Sequence, residues 1–319
     1  MANSERWGRT GGASAVTVNP RASRPPVEWL RRWAGGSFAP YLFVGPFFLI
    51  FFGFFAYPVG YSFYVSLQHW AGVGPMRPVG LGNYAFVLTD NFWWNAVANT
   101  AVLWLLIVPL GTVLSLLLAV AWNRRGARGV NVARVLYLLP TVSSIVAVSI
   151  VFRILLDQNA GPIDVILGLL HIPAVPWLTS SAWSKPAIAL VRLWGSVGLG
   201  ALFFSSALQN ISQDVYDAAA VDGCNPIRGF FAVTLPLLSR TILFVVITGT
   251  LGIVGLFAEA QLITGGGPDN SSTTVALYLY NMVGGLDLGT ASAVSFLMTA
   301  IMVGVSVALF IVQRRWQPD

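Results

Sequence analysis

Few residues in this chain of 319 have the types and spacing that chemistry requires. The two histidines, His69 and His171, lie far apart. Cys224 is the only cysteine, so there is no disulfide framework and no cysteine-based metal set. No paired carboxylates, histidine cluster or nucleophile with its base stands out, so a membrane enzyme finds no support. There is no G-x-x-x-x-G-K-[ST] phosphate loop, and therefore no standard ATP cradle in this chain. The Gly265-Gly266-Gly267 run lacks the lysine and follows a helix rather than a strand, and it reads as a turn. Two charges remain inside otherwise apolar runs, Arg192 and Glu259. A charge within a membrane usually faces a cavity or a partner. Three outcomes stay open for them: pairing with each other, binding a polar solute, or snorkelling to the outer interface.

The elements that must position these residues follow from composition. The chain is 56% hydrophobic and 9% charged, against about 25% charged for a soluble domain. Lipid as the outer solvent accounts for that balance. A spanning helix needs about 20 apolar residues, and the gaps between charges supply six candidates. These are Pro40–Leu67, Val97–Trp122, Val132–Leu155 (with Arg153 snorkelling at its end), Pro186–Leu208, Leu235–Ile263 and Leu288–Val312. The charge-free stretch from Val165 to Ser184 is broken by two prolines, His171, Thr179 and several serines. It reads as a surface segment with interfacial Trp177 and Trp183.

Basic residues set the orientation. With the N-terminus inside, six arginines of the tail join Arg124, Arg125, Arg128, Arg134, Arg228, Arg240, Arg314 and Arg315 on the cytoplasmic side. Arg77, Arg153, Lys185 and Arg192 fall towards the other side. The net charge of +6 then serves orientation in the membrane, and nucleic acid is not an expected partner. The expected fold is an all-α membrane protein of six spanning helices with both termini cytoplasmic. Residues 1–37 form a flexible cytoplasmic tail, and 38–319 form the membrane domain.

One cytoplasmic stretch, about 210–236, has an explicit local grammar. Ser212 caps a helix start, and Ala218, Ala219 and Ala220 favour the helix. Gly223 supplies a left-handed stop. Asn225 caps a second helix, with Pro226 at its first position. Two short helices therefore meet at a glycine elbow outside the membrane. Small alanines let a partner surface approach, and Asp217 and Asp222 offer acids to a basic partner. On these grounds alone the stretch is either a docking helix or an ordinary capped loop.

The run Asp217-Ala218-Ala219-Ala220-Val221-Asp222-Gly223, followed by Val233-Thr234-Leu235-Pro236, resembles the EAA loop of binding-protein-dependent ABC importer permeases. That pattern is E-A-A-x-x-x-G, about nine residues, then I-x-L-P. Asp217 replaces the usual Glu, and Val233 the usual Ile. The stretch Leu262-Ile-Thr-Gly-Gly-Gly-Pro-Asp269, with Thr273, Thr274, Tyr278 and Tyr280, is similar to the loop after the fifth core helix in maltose and glycerol-phosphate type permeases. So is Asp287-Leu-Gly289-Thr-Ala291-Ser-Ala293 before the last helix. The likeness covers most of residues 40–315.

The resemblance implies a type I ABC importer permease fold that works beside a second homologous permease subunit. Two cytoplasmic ATPase subunits, binding ATP and Mg, would receive the coupling loop at Tyr216, Asp217, Ala218, Ala219, Asp222, Gly223, Leu235 and Pro236. No cofactor belongs to this chain itself. An extracytoplasmic binding protein would deliver a carbohydrate, and the location would be the bacterial cytoplasmic membrane. Counting back from the two motifs, the family's path-lining positions fall at Arg192, Gly195, Ser196 and Leu199, and at Gly249, Gly252, Ile253 and Leu256, with Glu259 nearby. Trp194 stacks on a sugar ring or packs against lipid and helices. The rival reading is a secondary transporter driven by an ion gradient. It calls for a coupling-ion site and often inverted repeats with broken helices, and neither is evident.

Overall fold

The computed structural model of the protein describes residues 39–123 and 129–316, with side chains for 41–123 and 129–314. The expected tail, Arg124, Arg125, Arg128 and the Arg315 side chain lie outside the described residues. By contacts the chain divides into two compact units, the first ending at Gly60 and the second beginning at Tyr61.

The described part of the first unit is helical: α1 (Ala39–Phe51), a wide π turn (Phe52–Ala56), and the start of α2 (Tyr57–Ser66). Phe47 stacks on Phe51, and Phe48 on Phe52. These rings lie four residues apart along one helix, where side chains are neighbours. Large apolar side chains here stay exposed, Phe43 and Phe54 among them.

In the second unit, short pairing of Gln68–His69 with Arg77–Pro78 leads into α3 (Gly82–Thr89) and the long α4 (Asn91–Trp122). Then come α5 (Val130–Val142), α6 (Ile145–Leu155), the short α7 (Pro162–Leu169) and α8 (Ser184–Gln209). The elbow helix α9 (Gln213–Val221) precedes α10 (Pro226–Gly229), a π turn (Phe230–Thr234) and α11 (Leu235–Leu237). The order closes with α12 (Ser239–Val254), a π turn (Ala260–Thr264), α13 (Val275–Gly284) and α14 (Leu288–Trp316).

Helix α8 is the spine. In its most apolar stretch 44% of residues are buried, against 28% for α4 and 11% for α14. It packs along α4 and against α5 and α12. Lipid removes the hydrophobic drive between helices, so close approach by small residues and van der Waals contact must hold them together. A Cβ on Gly198 would strike the Tyr137 carbonyl of α5, and one on Gly200 would strike the Ser115 side chain of α4. Phe204, Ala201 and Leu116 fill the layer beside these contacts.

Among the described residues four helices are long and apolar enough to cross a membrane, and six spans result if each bent pair counts as one. Two expected spans are not continuous. The third, expected as one helix over Val132–Leu155, is α5 and α6 meeting at 100°. Pro140 cannot donate to the preceding turn, and Ser143 and Ser144 are extended. Ser143 repairs part of the break: its hydroxyl donates to the Leu139 carbonyl and its N–H to that of Pro140. The fifth span, expected as one helix over Leu235–Ile263, bends by 66° at Leu238 and ends at Val254. Gly255 closes α12, and Thr274 donates to the freed Leu256 carbonyl at 2.6 Å. The Val165–Ser184 stretch is the end of α7 followed by irregular chain, with Trp177 edge-on to Trp183.

Two glycines of α8 separate packing from propensity. Gly198→Ala should destabilise the folded chain by about 1–3 kcal/mol through overpacking against backbone. Gly195→Ala meets nothing within 4 Å and should be neutral or stabilising by up to about 1 kcal/mol. Thermal unfolding of both variants in detergent checks this; equal midpoints would contradict the packing described.

Candidate functional site

Two places gather the candidate residues: a groove between α4, α8 and α12, and the exposed elbow at α9 and α10.

The groove holds about 190 Å³. Arg192, Ser196, Leu199 and Phe203 line it from α8, spaced three or four apart as one helical face requires. Gly249 and Ile253 line it from α12, and Thr112 and Ser115 from α4. Arg192 donates from Nη1 to Glu259 Oε1 at 2.9 Å, which joins α8 to the segment after α12. The Glu259 side chain is 4% exposed and that of Arg192 30%, so the carboxylate is enclosed while the guanidinium reaches the groove. Of the three outcomes open to these charges, pairing is the one observed. Gly252 leaves room for the guanidinium: a Cβ there would lie 2.7 Å from Arg192 Nη2.

Not every expected path residue faces this groove. Trp194 lies two residues from Arg192 and so about 200° round the helix; its ring packs on Phe152 at 5.4 Å. Leu256 is buried in the core with Leu103, Ile188 and Leu277. Its placement assumed that α12 continued past Val254, and it does not. Gly195 has nothing within 4 Å of where its Cβ would stand. The hydroxyl-bearing Thr112, Ser115 and Thr248 also line the groove. No motif marks them; only the packing of three helices brings them together.

A second, polar hollow of about 290 Å³ lies among Arg153, Asp157, Thr179 and Thr264. Backbone N–H groups of Asn159 and Ala160 hold the Asp157 carboxyl below its usual range. Nearby, the loop after the fifth span is a turn. Gly265 and Gly266 take left-handed φ values of 63° and 82°, and a Cβ on Gly266 would meet Thr273 Oγ1 at 2.6 Å. Asn99 donates to the Asn270 carbonyl at 2.8 Å and Lys185 to that of Ser271 at 2.6 Å, so α4 and α8 together fix this loop.

At the elbow, Ser212 accepts from the Asp214 N–H and starts α9. Gly223 has φ of 78° and accounts for the stop. Asn225 accepts from the Arg228 N–H and starts α10, with Pro226 first. No residue of α9 is buried. Asp217, Ala218, Asp222 and Gly223 are exposed, and Ala219 is half-buried. Asp217 accepts from Gln213 at 3.0 Å. The half-buried Tyr216 places its hydroxyl 3.3 Å from that of Thr234, which links α9 to the root of the fifth span. Leu235 and Pro236 follow in α11, Leu235 half-buried and Pro236 exposed.

Broken apolar spans packed round a lined groove, with an exposed two-helix elbow beyond them, define a helical membrane transport subunit. Residues 111–319 match the family described as binding-protein-dependent transport system inner membrane component. The chain belongs to that family. It is 35% identical over 246 residues to the lactose transport system permease protein LacF of Rhizobium radiobacter, covering 76% of this chain and 82% of that one. It is 29% identical to the sn-glycerol-3-phosphate transport system permease protein UgpA of Yersinia pestis, covering 86% and 93%. In structure it is similar to a chain of a bacterial ABC transporter involved in the import of the acidic polysaccharide alginate. That match has a TM-score of 0.77 and 20% identity, and covers 91% of this chain and all of the other. The fold is that of a type I ABC importer permease.

Breaking the ion pair on one side leaves a buried charge without compensation. Arg192→Ala should therefore cost about 3–5 kcal/mol, while Arg192→Met combined with Glu259→Met should cost little or nothing. A double-mutant cycle by thermal unfolding measures this; additive losses would show that the two side chains do not interact.

Proposed function

We propose that this chain is one of two permease subunits of an ATP-driven importer for a carbohydrate or related polyol, in a bacterial cytoplasmic membrane. The single observation that carries this reading is the exposed α9–α10 elbow. It has a capped start, a left-handed glycine and no buried side chain, in a family that depends on a binding protein. The relatives' names point to sugars and sugar-like solutes, some neutral, as lactose, and some charged, as sn-glycerol-3-phosphate.

In this reading both termini lie inside and six spans form half of the path. Tyr216, Asp217, Ala218, Ala219, Asp222, Gly223, Leu235 and Pro236 make the surface that meets a cytoplasmic ATPase. Two such ATPase subunits bind ATP and Mg. A second homologous permease completes the path, and an extracytoplasmic binding protein delivers the solute. The groove at Arg192, Ser196, Leu199 and Ile253, with Gly252 beside the guanidinium, belongs to the path of this chain. For ATP to drive transport, the ATPase must bind the elbow differently in two states of the membrane helices. The Tyr216–Thr234 contact gives that difference a short route from α9 into the fifth span.

Uptake into membrane vesicles holding the complete importer tests the energy source. Transport should require ATP and survive an uncoupler; loss with the uncoupler and indifference to vanadate would favour an ion gradient instead. The elbow has its own test. A Cβ on Gly223 meets open space, but its φ of 78° suits no L residue with a branched side chain. Gly223→Val should leave membrane insertion intact and lower transport by about tenfold or more, with ATPase activity no longer answering to loaded binding protein. Full coupling in that variant would remove the elbow from the mechanism.

A further inference from the structure

The charge of the groove and the direction of its hydrogen bonds both follow from the side chains that line it. Among the described residues one ionisable side chain reaches it, Arg192. Glu259 stands 2.9 Å from that guanidinium and is itself enclosed. The carboxylate therefore cancels the cation without offering itself to a solute, and the groove is electrically neutral. Three of its four hydroxyls have already spent their protons. Thr112 donates to the Val108 carbonyl at 2.7 Å, Ser115 to that of Val197 at 3.0 Å, and Thr248 to that of Phe244 at 2.8 Å. A hydroxyl has one proton and two lone pairs, so these three oxygens can only accept. Between them stand apolar walls at Ile107, Leu199, Phe203 and Ile253.

We infer that the groove selects uncharged, hydroxyl-rich solutes and disfavours those bearing a carboxylate, sulfonate or phosphate, and that Glu259 sets this choice by cancelling Arg192. A sugar hydroxyl donates to the waiting oxygens, and the C–H faces of a sugar ring lie on the apolar walls. An anionic oxygen has no proton to give to these three oxygens and finds no uncancelled cation; the donors left to it are the Ser196 hydroxyl and the guanidinium N–H groups that Glu259 does not take. Without Glu259, Arg192 would stand as a free cation in the path. The inference rests on the groove being a path for solute, as proposed above.

Charged thiol reagents read the potential directly. Ser196 lines the groove one helical turn from Arg192, so Ser196→Cys, made with the lone native cysteine changed by Cys224→Ser, reports beside the pair. The importer is assembled with its partners in membrane vesicles. Labelling rates are taken for a sulfonate-bearing and a trimethylammonium-bearing methanethiosulfonate, each divided by its rate with free 2-mercaptoethanol. The ratio of the two should lie within about threefold of one, and Glu259→Gln should shift it at least about tenfold towards the sulfonate, as an uncancelled charge about 6 Å away requires. Should Glu259→Gln fail to assemble, Arg192→Gln serves in its place and should shift the ratio towards the ammonium by a like factor. A ratio that favours the sulfonate about tenfold before any change at the pair, or one that moves with neither substitution, overturns the proposal. Lack of reaction even with uncharged methyl methanethiosulfonate would remove the groove from the aqueous path and overturn the reading beneath it.

Discussion

Backbone polar groups inside lipid have no water to bond, so a spanning helix can break only where something else takes up the freed N–H and C=O groups. The membrane domain is arranged round such repairs. Between α5 and α6 the Ser143 hydroxyl takes up the Leu139 carbonyl and the Ser143 N–H that of Pro140. After α12 the repair comes from far along the chain, where Thr274 donates to the Leu256 carbonyl. Thr274 also accepts from the Leu277 N–H and so starts α13. One hydroxyl thus holds the chain just past α12 and begins α13. The break it stabilises brings Glu259 to Arg192.

The ion pair then acts as a second constraint. It ties the central helix to the segment beyond the break, and Gly252 is the position whose missing side chain lets the guanidinium lie there. Small residues do the same work elsewhere on α8, at Gly198 against α5 and Gly200 against α4. Where helices gain little from leaving lipid, such close approaches decide which faces meet. The groove lies between α4, α8 and α12.

Much of this was legible in the residues. Gaps between charges located the four long apolar helices, and Ser212, Gly223, Asn225 and Pro226 each took the local role that their type suggests. The α8 positions Arg192, Ser196 and Leu199 came from the family resemblance, and their spacing of four and three puts them on one helical face at the groove. Counting by helical period holds only while the helix lasts. Leu256 lies beyond the end of α12 and in the core, and Trp194, with stacking on sugar and packing both open to it, packs on Phe152. The bend at Ser143 had a signal in Pro140-Thr-Val-Ser-Ser144, but the long apolar run concealed it. The hydroxyls of α4 and α12 in the groove carried no signal, because only tertiary packing places them.

The exposed elbow at α9 and α10 remains the point on which the proposed coupling turns, and its orientation can be measured without knowing the solute. Val221 stands at the end of α9, 88% exposed, and Leu169 at the end of α7, 76% exposed. In the assembled importer, with the native cysteine removed by Cys224→Ser, a short-reach thiol cross-linker should join Val221→Cys to the ATPase subunit, with a yield that changes on adding ATP. Leu169→Cys should give no such adduct. An ATPase adduct from Leu169→Cys and none from Val221→Cys would contradict both the topology and the role given to the elbow.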